Sequence, residues 1–213
     1  MEFEQVLQGR RSVRAFREDP VPPGLVREVL ENARWAPSWA NSQAWNATVV
    51  QGETLRELKA SLSAQVSAGV PATTDIPMPL EWPDDLKKRM SLRRPAVESE
   101  APPEKPRPGV WQAWGAPALV LFAVDERIPV EYACFDAGLL VQSVCLAAFD
   151  KGLGTCIEAM MVRYPDVLHE LLPQTAHTRF VVGVALGYAD DSAPANAFPR
   201  ERIGVDEFVT WAE

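Results

Sequence analysis

The sequence predicts a helix-dominated α/β or α+β protein with few strands. Three observations predict it. Helical and strand-like periodicities interleave along the chain rather than falling into separate blocks. Two stretches, "APALVLFAVD" (116–125) and "RFVVGVALGY" (179–188), are strongly apolar and read as strands. A third, "EYACFDAGLLVQSVCLAAFDKGLG" (131–154), is apolar almost all the way round a helix and reads as a central, buried one.

The elements follow in order. Phe3, Val6 and Leu7 are spaced i, i+3, i+4, so residues 2–9 read as a short amphipathic helix closed by Gly9. Pro20, Pro22 and Pro23 then interrupt the chain. A second helix carries Leu25, Val26, Val29, Leu30 and Ala33 on one face, and Pro37 stops it. Ala47 to Val50 is a short β-branched strand. Leu55, Leu58 and Leu62 mark a third helix.

Residues 64–115 are different. Nine of the 19 prolines fall between Pro77 and Pro117. Charges there are mixed, yet Trp82, Met90, Trp111 and Trp114 need somewhere to pack. The stretch reads as a loop-rich excursion over the domain, with one short helix near Leu86 to Leu92. Trp82, Trp111 and Trp114 fit either a lid or anchors that hold the loop down. Beyond the long helix, Gly152 to Gly154 turns the chain. "TCIEA" (155–159) reads as a short strand, and "YPDVLHELL" (164–172) as a helix with Pro165 near its start. The tail from Ala189 to Glu213 is polar and punctuated by proline. No internal repeat and no boundary between two domains is visible.

Composition narrows the function. A chain of 213 residues can bury a sizeable core. A formal charge of −8 argues against a general nucleic-acid binder. The N-terminus lacks the basic-then-apolar pattern of a secretory signal, and runs such as Ala116 to Val124 are too short to span a bilayer. Cys134, Cys145 and Cys156 are odd in number and widely spaced, with no CxxC, so neither a disulfide framework nor a metal site is expected. Cys134 and Cys145 fall on nearly one helical face and read as small core residues. His169 and His177 add little as ligands. The expectation is a cytoplasmic protein with buried thiols.

Against that acidic background, "GRRSVRAFRED" (9–19) concentrates Arg10, Arg11, Arg14 and Arg17. An extended segment after the first helix would send Ser12 and Arg14 to one face. Two guanidinium forks and a hydroxyl suit a phosphate monoester. A solvated basic face balancing Glu18 and Asp19 fits the same spacing. "APSWANSQAW" (36–45) gathers Ser38, Asn41, Ser42 and Gln43, which offer donors and acceptors to a heteroaromatic ring or simply satisfy a polar loop. "GLGTCIEA" (152–159) allows close backbone approach, or only a tight turn. "FPRERIG" (198–204) puts Arg200 and Arg202 on one face if extended, or forms a charged tail.

Their order and spacing together are more specific than any one of them. The chain resembles the FMN-dependent nitroreductase family. "RRSVRAF" is similar to its Arg-Arg-Ser-x-Arg motif and "APSWANSQAW" to its Pro-Ser-x-x-Asn-x-Gln-Pro-Trp motif. "DAGLLVQSVCLAAFDKGLGTCIEA" is similar to its central helix and Gly-Leu-Gly turn, and "PRER" to its C-terminal basic pair. The resemblance covers nearly the whole chain except residues 64–115.

The resemblance implies a three-layer α+β fold. A mostly antiparallel sheet would be flanked by helices around a long buried central helix. It implies one domain over residues 1–213, with 64–115 as a Pro-rich lid or insert. Two chains would entwine as a homodimer, residues 189–213 reaching the partner subunit. Arg10, Arg11, Ser12 and Arg14 match positions that hold the FMN phosphate and ribityl chain, and Arg200 and Arg202 close on the same phosphate. Pro37, Ser38, Trp39, Asn41 and Gln43 match positions lining the flavin, Ser38 and Asn41 typically from the partner. Ile157, Glu158 and Ala159 match the strand whose backbone faces flavin N5. No side-chain acid–base group is implied. NADH or NADPH would donate hydride, and a nitroaromatic, quinone or related small electron acceptor would follow in a ping-pong cycle. Enone reduction, reductive dehalogenation, dehydrogenation and non-catalytic flavin binding stay open on the same fold. The sequence departs from the pattern at Ala44, where proline is usual, at Trp39, where a small residue is commoner, and at Ala159, where glycine is frequent.

Overall fold

The strand Ala118–Asp125, β2, is buried along nearly its whole length. Its apolar run does not alternate with polar residues because both faces are covered. The computed structural model describes residues 1–79, 81–91, 109–198 and 200–212. β2 is flanked by β1 (Trp45–Gln51) and β4 (Thr178–Gly187), and β3 (Gly154–Glu158) lies outside β4, in the order β1-β2-β4-β3. All three pairings are antiparallel. Among the described residues, nothing pairs with the outer edge of β1, whereas Ser12 forms a parallel bridge to Thr155 beside β3.

Successive residues of β2 divide between two apolar clusters. Leu119, Leu121 and Ala123 join the leucines of α3 (Gly52–Ser67) and Leu168 of α6 (Pro165–Leu171). Ala118, Val120 and Phe122 join Val26 and Val29 of α2 (Pro23–Ala33) and Val141, Val144 and Cys145 of α5 (Val130–Asp150). Helices therefore cover both faces, giving three layers, α/β/α. Between Phe122 and Ala123 the register against β4 slips by one residue, so Phe180 and Val182 fall in opposite clusters. The Asp75 carboxylate accepts the Phe180 N–H at this bulge, at 2.8 Å.

Two helices bury the stripe their periodicity predicts, Val26, Val29 and Ala33 in α2 and Leu55, Leu58 and Leu62 in α3. α1 (Phe3–Gly9) packs on α5 but buries only Val6 and leaves Phe3 and Leu7 exposed. α5 is long and apolar enough by length and composition to cross a bilayer, but here it lies on the sheet. Only one side of it is buried within the chain. Tyr132 and Phe135 are 54% and 64% exposed, and Gly138 and Gln142 beside them are also exposed. The central helix is thus buried on one side and not the other, because among the described residues no element covers this side.

The Pro-rich stretch is shorter than expected at both ends. Residues 64–67 still belong to α3, and Val110–Gly115 is a 3-10 turn that buries Val110 and Ala113. Trp111 and Trp114 pack against the α3/α6 core as anchors. Both ends are tied down. Tyr164 Oη donates to the Val70 carbonyl at 3.0 Å, Thr73 N–H to the Arg163 carbonyl at 3.1 Å, and Gln112 Nε2 to Ser63 Oγ at 2.9 Å. The short helix expected near 86–92 is α4, Asp84–Ser91. Leu92 and the rest of 92–108 lie outside the described residues, as do Leu80, Pro199 and Glu213.

Candidate functional site

The arginine segment lies against the start of β3. Val13 N–H donates to the Thr155 carbonyl at 2.8 Å. Gly154 permits this contact: a Cβ there would stand 2.7 Å from Val13 Cγ2. On its other side the segment meets the chain leaving β4. Phe16 bridges Ala189, Arg17 N–H donates to the Tyr188 carbonyl, and Asp190 N–H donates to the Ala15 carbonyl. Asn196, buried, locks the two together. Its Oδ1 accepts Arg14 N–H at 2.7 Å, and its Nδ2 donates to the Ala15 and Asp190 carbonyls at 2.8 and 2.9 Å.

The tail then brings its own arginines back. Arg200 donates to the backbone carbonyls of Arg10 and Gln8. Arg10, Ser12, Arg14, Phe198, Arg200, Glu201 and Arg202 together line a cavity of about 140 Å³. Four arginines and one glutamate thus line it. Burial, and after it the like charges of Arg11, Arg10 and Arg202, hold the Arg200 guanidinium below its ordinary value. Arg14 Nη1 is a buried nitrogen with no hydrogen-bond partner among the described residues. A convergent, under-compensated set of planar donors fits a phosphate. Arg11 does not line this cavity. It donates to the Phe198 carbonyl, and with Arg14 it flanks the Phe198 ring at 4.8 and 5.0 Å. Arg17 pairs with Asp19 and stacks on Tyr188.

The other expected residues stand elsewhere in the chain. Residues 37–43 form an exposed loop around a short 3-10 turn, Trp39–Asn41. Ala40, Asn41 and Gln43 all have positive φ, at 48°, 57° and 48°. Ser38 Oγ accepts Gln43 N–H at 3.0 Å, and Gln43 Nε2 donates to the Asn41 carbonyl and side chain at 3.2 Å. At the end of β3, Ile157 and Ala159 are exposed and Glu158 is buried. The Glu158 carboxylate accepts the indole N–H of Trp114. Burial, and then the charge of Glu158, push the Cys156 thiol well up, so it stays neutral in the core. None of residues 37–43 or 157–159 lines the arginine cavity.

The family model described as "Nitroreductase family" matches residues 7–188. A 4-nitrobenzoate reductase of Pseudomonas putida is 30% identical, over 94% of this chain and 92% of that protein. The chain belongs to the nitroreductase family. A nitrobenzene nitroreductase of Ectopseudomonas oleovorans is 28% identical over 98% of this chain and 96% of that one. The solved FMN-dependent nitroreductase NfnB of Mycobacterium smegmatis, in complex with NADPH, superposes at a TM-score of 0.90. It shares 27% identity, with 99% of this chain and 97% of that chain covered.

In this nitroreductase chain, one cavity collects Arg10, Ser12, Arg14, Arg200 and Arg202, which are local in two distant stretches. Three supporting residues escaped the sequence reading. Asn196 clamps the arginine segment, Phe198 stacks under it, and Asp136 meets the 37–43 loop from α5. Each acts across more than 90 residues of chain, so no local pattern announces it. Trp114 was visible as an aromatic needing a partner, but not as the donor to Glu158.

Proposed function

We propose that the protein is an FMN-dependent NAD(P)H oxidoreductase that reduces nitroaromatic, quinone or related electron-poor acceptors in ping-pong turnover. The observation that carries this reading is the arginine cavity with its unpartnered Arg14 nitrogen, in a chain of the nitroreductase family. Similarity to FMN-dependent, NADPH-bound and nitroaromatic-reducing relatives supports it. Bound FMN supplies the centre that accepts hydride from the nicotinamide and passes electrons to the acceptor. Arg10, Ser12, Arg14, Arg200 and Arg202 bind the phosphate and neutralise its charge, with Arg11 steadying Phe198 behind them. Pro37, Ser38, Trp39, Asn41 and Gln43 orient the ring. The backbone of Ile157, Glu158 and Ala159 would lie beside the flavin's reactive edge, where an N–H would favour negative charge.

The active protein in this reading is a homodimer, with each flavin shared between subunits. The exposed apolar side chains of Trp35, Trp39, Tyr132, Phe135, Phe208 and Trp211 support it. So does the edge of β1, which is unpaired among the described residues and which the C-terminal extension of a partner would reach. The part of the Pro-rich stretch that carries α4 acts as a cover within one domain. Supporting this, α4 and the tail line a cavity of about 730 Å³ that shares Glu201 and Arg202 with the phosphate cavity. Three free cysteines fit a cytoplasmic setting.

The test is an absorbance spectrum of the purified protein, before and after NADH or NADPH is added without oxygen. A flavin spectrum that bleaches, and recovers with a nitroarene, is expected. A protein that stays colourless after incubation with FMN would overturn the reading.

A further inference from the structure

We propose that Asp136 is the positioning residue of the 38–43 loop, holding it through the N–H of Trp39. The inference rests on the FMN reading above, in which this loop orients the flavin.

Asp136 is 3% exposed on α5. Its Oδ1 and Oδ2 lie 3.1 and 3.0 Å from one donor, the backbone N of Trp39, 97 residues away. Among the described residues no Lys, Arg or His forms an ion pair with it. A buried carboxylate without a countercharge is unfavourable unless its acceptors are used. The donor it uses ties this loop to the body of the protein.

The loop needs such a tie. Residues 39–43 are exposed, and three of them hold a left-handed backbone that non-glycine residues avoid. The bonds from Ser38 to Gln43 and from Gln43 to Asn41 close the loop on itself without attaching it to anything. Attachment comes from α5. Asp136 takes the Trp39 N–H, and Tyr132, one turn earlier, sets its ring 4.8 Å from the Trp39 indole. The residues assigned to the flavin, Ser38, Asn41 and Gln43, therefore inherit their position from a carboxylate that need not touch the cofactor.

The test compares two variants of the holoenzyme that both lack the charge. Asp136→Leu is nearly isosteric without an acceptor, and Asp136→Asn keeps one acceptor oxygen. Amide hydrogen exchange at Trp39 should rise about tenfold or more in Asp136→Leu and recover most of the way in Asp136→Asn. The FMN dissociation constant and the KM for a nitroarene should follow the same order, with kcat moving less. Equal exchange in the two variants would overturn the proposal. So would altered exchange with FMN affinity and KM unchanged, since the loop would then be held without serving the flavin.

If Asp136→Leu does not fold, Trp39→Pro against Trp39→Ala decides. Both lose the indole and only proline lacks the N–H. Weaker FMN binding by Trp39→Pro is expected, and equal binding overturns the proposal. A wild-type protein that takes up no FMN overturns the FMN reading instead, and hydrogen exchange still decides whether Asp136 holds the loop.

Discussion

Arg14 shows how one residue joins backbone order to ligand chemistry. Its N–H is fixed by Asn196, its guanidinium lies over Phe198, and one of its nitrogens is buried without a partner among the described residues. The side chain is thus oriented before any ligand arrives, which lowers the entropy cost of binding. Replacing Arg14 with alanine should weaken FMN binding by about 1.5–3 kcal/mol, the range for a hydrogen bond to a charged group. Quenching of FMN fluorescence on titration with protein measures it, and an unchanged dissociation constant would remove Arg14 from the phosphate site. The type and spacing of Arg10, Ser12 and Arg14 were legible in the sequence, because an extended segment alternates its side chains. That Arg11 turns away to Phe198 was not, because the ring that receives it is 187 residues on.

The elements around the site depend on close backbone approach. β3 and the arginine segment touch because Gly154 leaves room for Val13, which is buried and β-branched and so has little freedom to move aside. Gly154→Ala should cost about 1–3 kcal/mol by overpacking. The penalty should shrink in a Val13→Ala background, as a double-mutant cycle of denaturant unfolding would measure. A full, undiminished penalty in that background would show that the strain lies elsewhere. The glycine-rich turn before β3 could be read from its residues. Which glycine faces the arginine segment could not, because that depends on the parallel bridge between Ser12 and Thr155. In the same way, the Pro-rich composition of 64–115 announced an excursion. Its true ends emerge only from the packing of Val66, Trp111 and Trp114 on the α3/α6 core.

At the scale of the whole molecule, α5 carries the main asymmetry. Its sheet-facing side is core, and its outer side presents Tyr132 and Phe135 to solvent in the single chain. The same helix fastens the 38–43 loop, so the exposed apolar surface and the loop assigned to the flavin are continuous. Light scattering on a sizing column should therefore give twice the 23.5 kDa chain mass. Phe135→Glu should shift the protein toward the single-chain mass and release flavin with it. A wild-type protein that elutes as a single chain with FMN bound would refute the shared site.

Most helices, the apolar strands, the arginine-rich motif and the family are legible along the chain, because periodicity, capping and motif spacing are local properties. How the sheet is ordered, which arginines share a cavity and what holds them there emerge only from packing. Asn196 reaching Arg14 and Asp136 reaching Trp39 are contacts between distant residues. Their partners are chosen by how the layers pack, and no window along the chain contains both members of either pair.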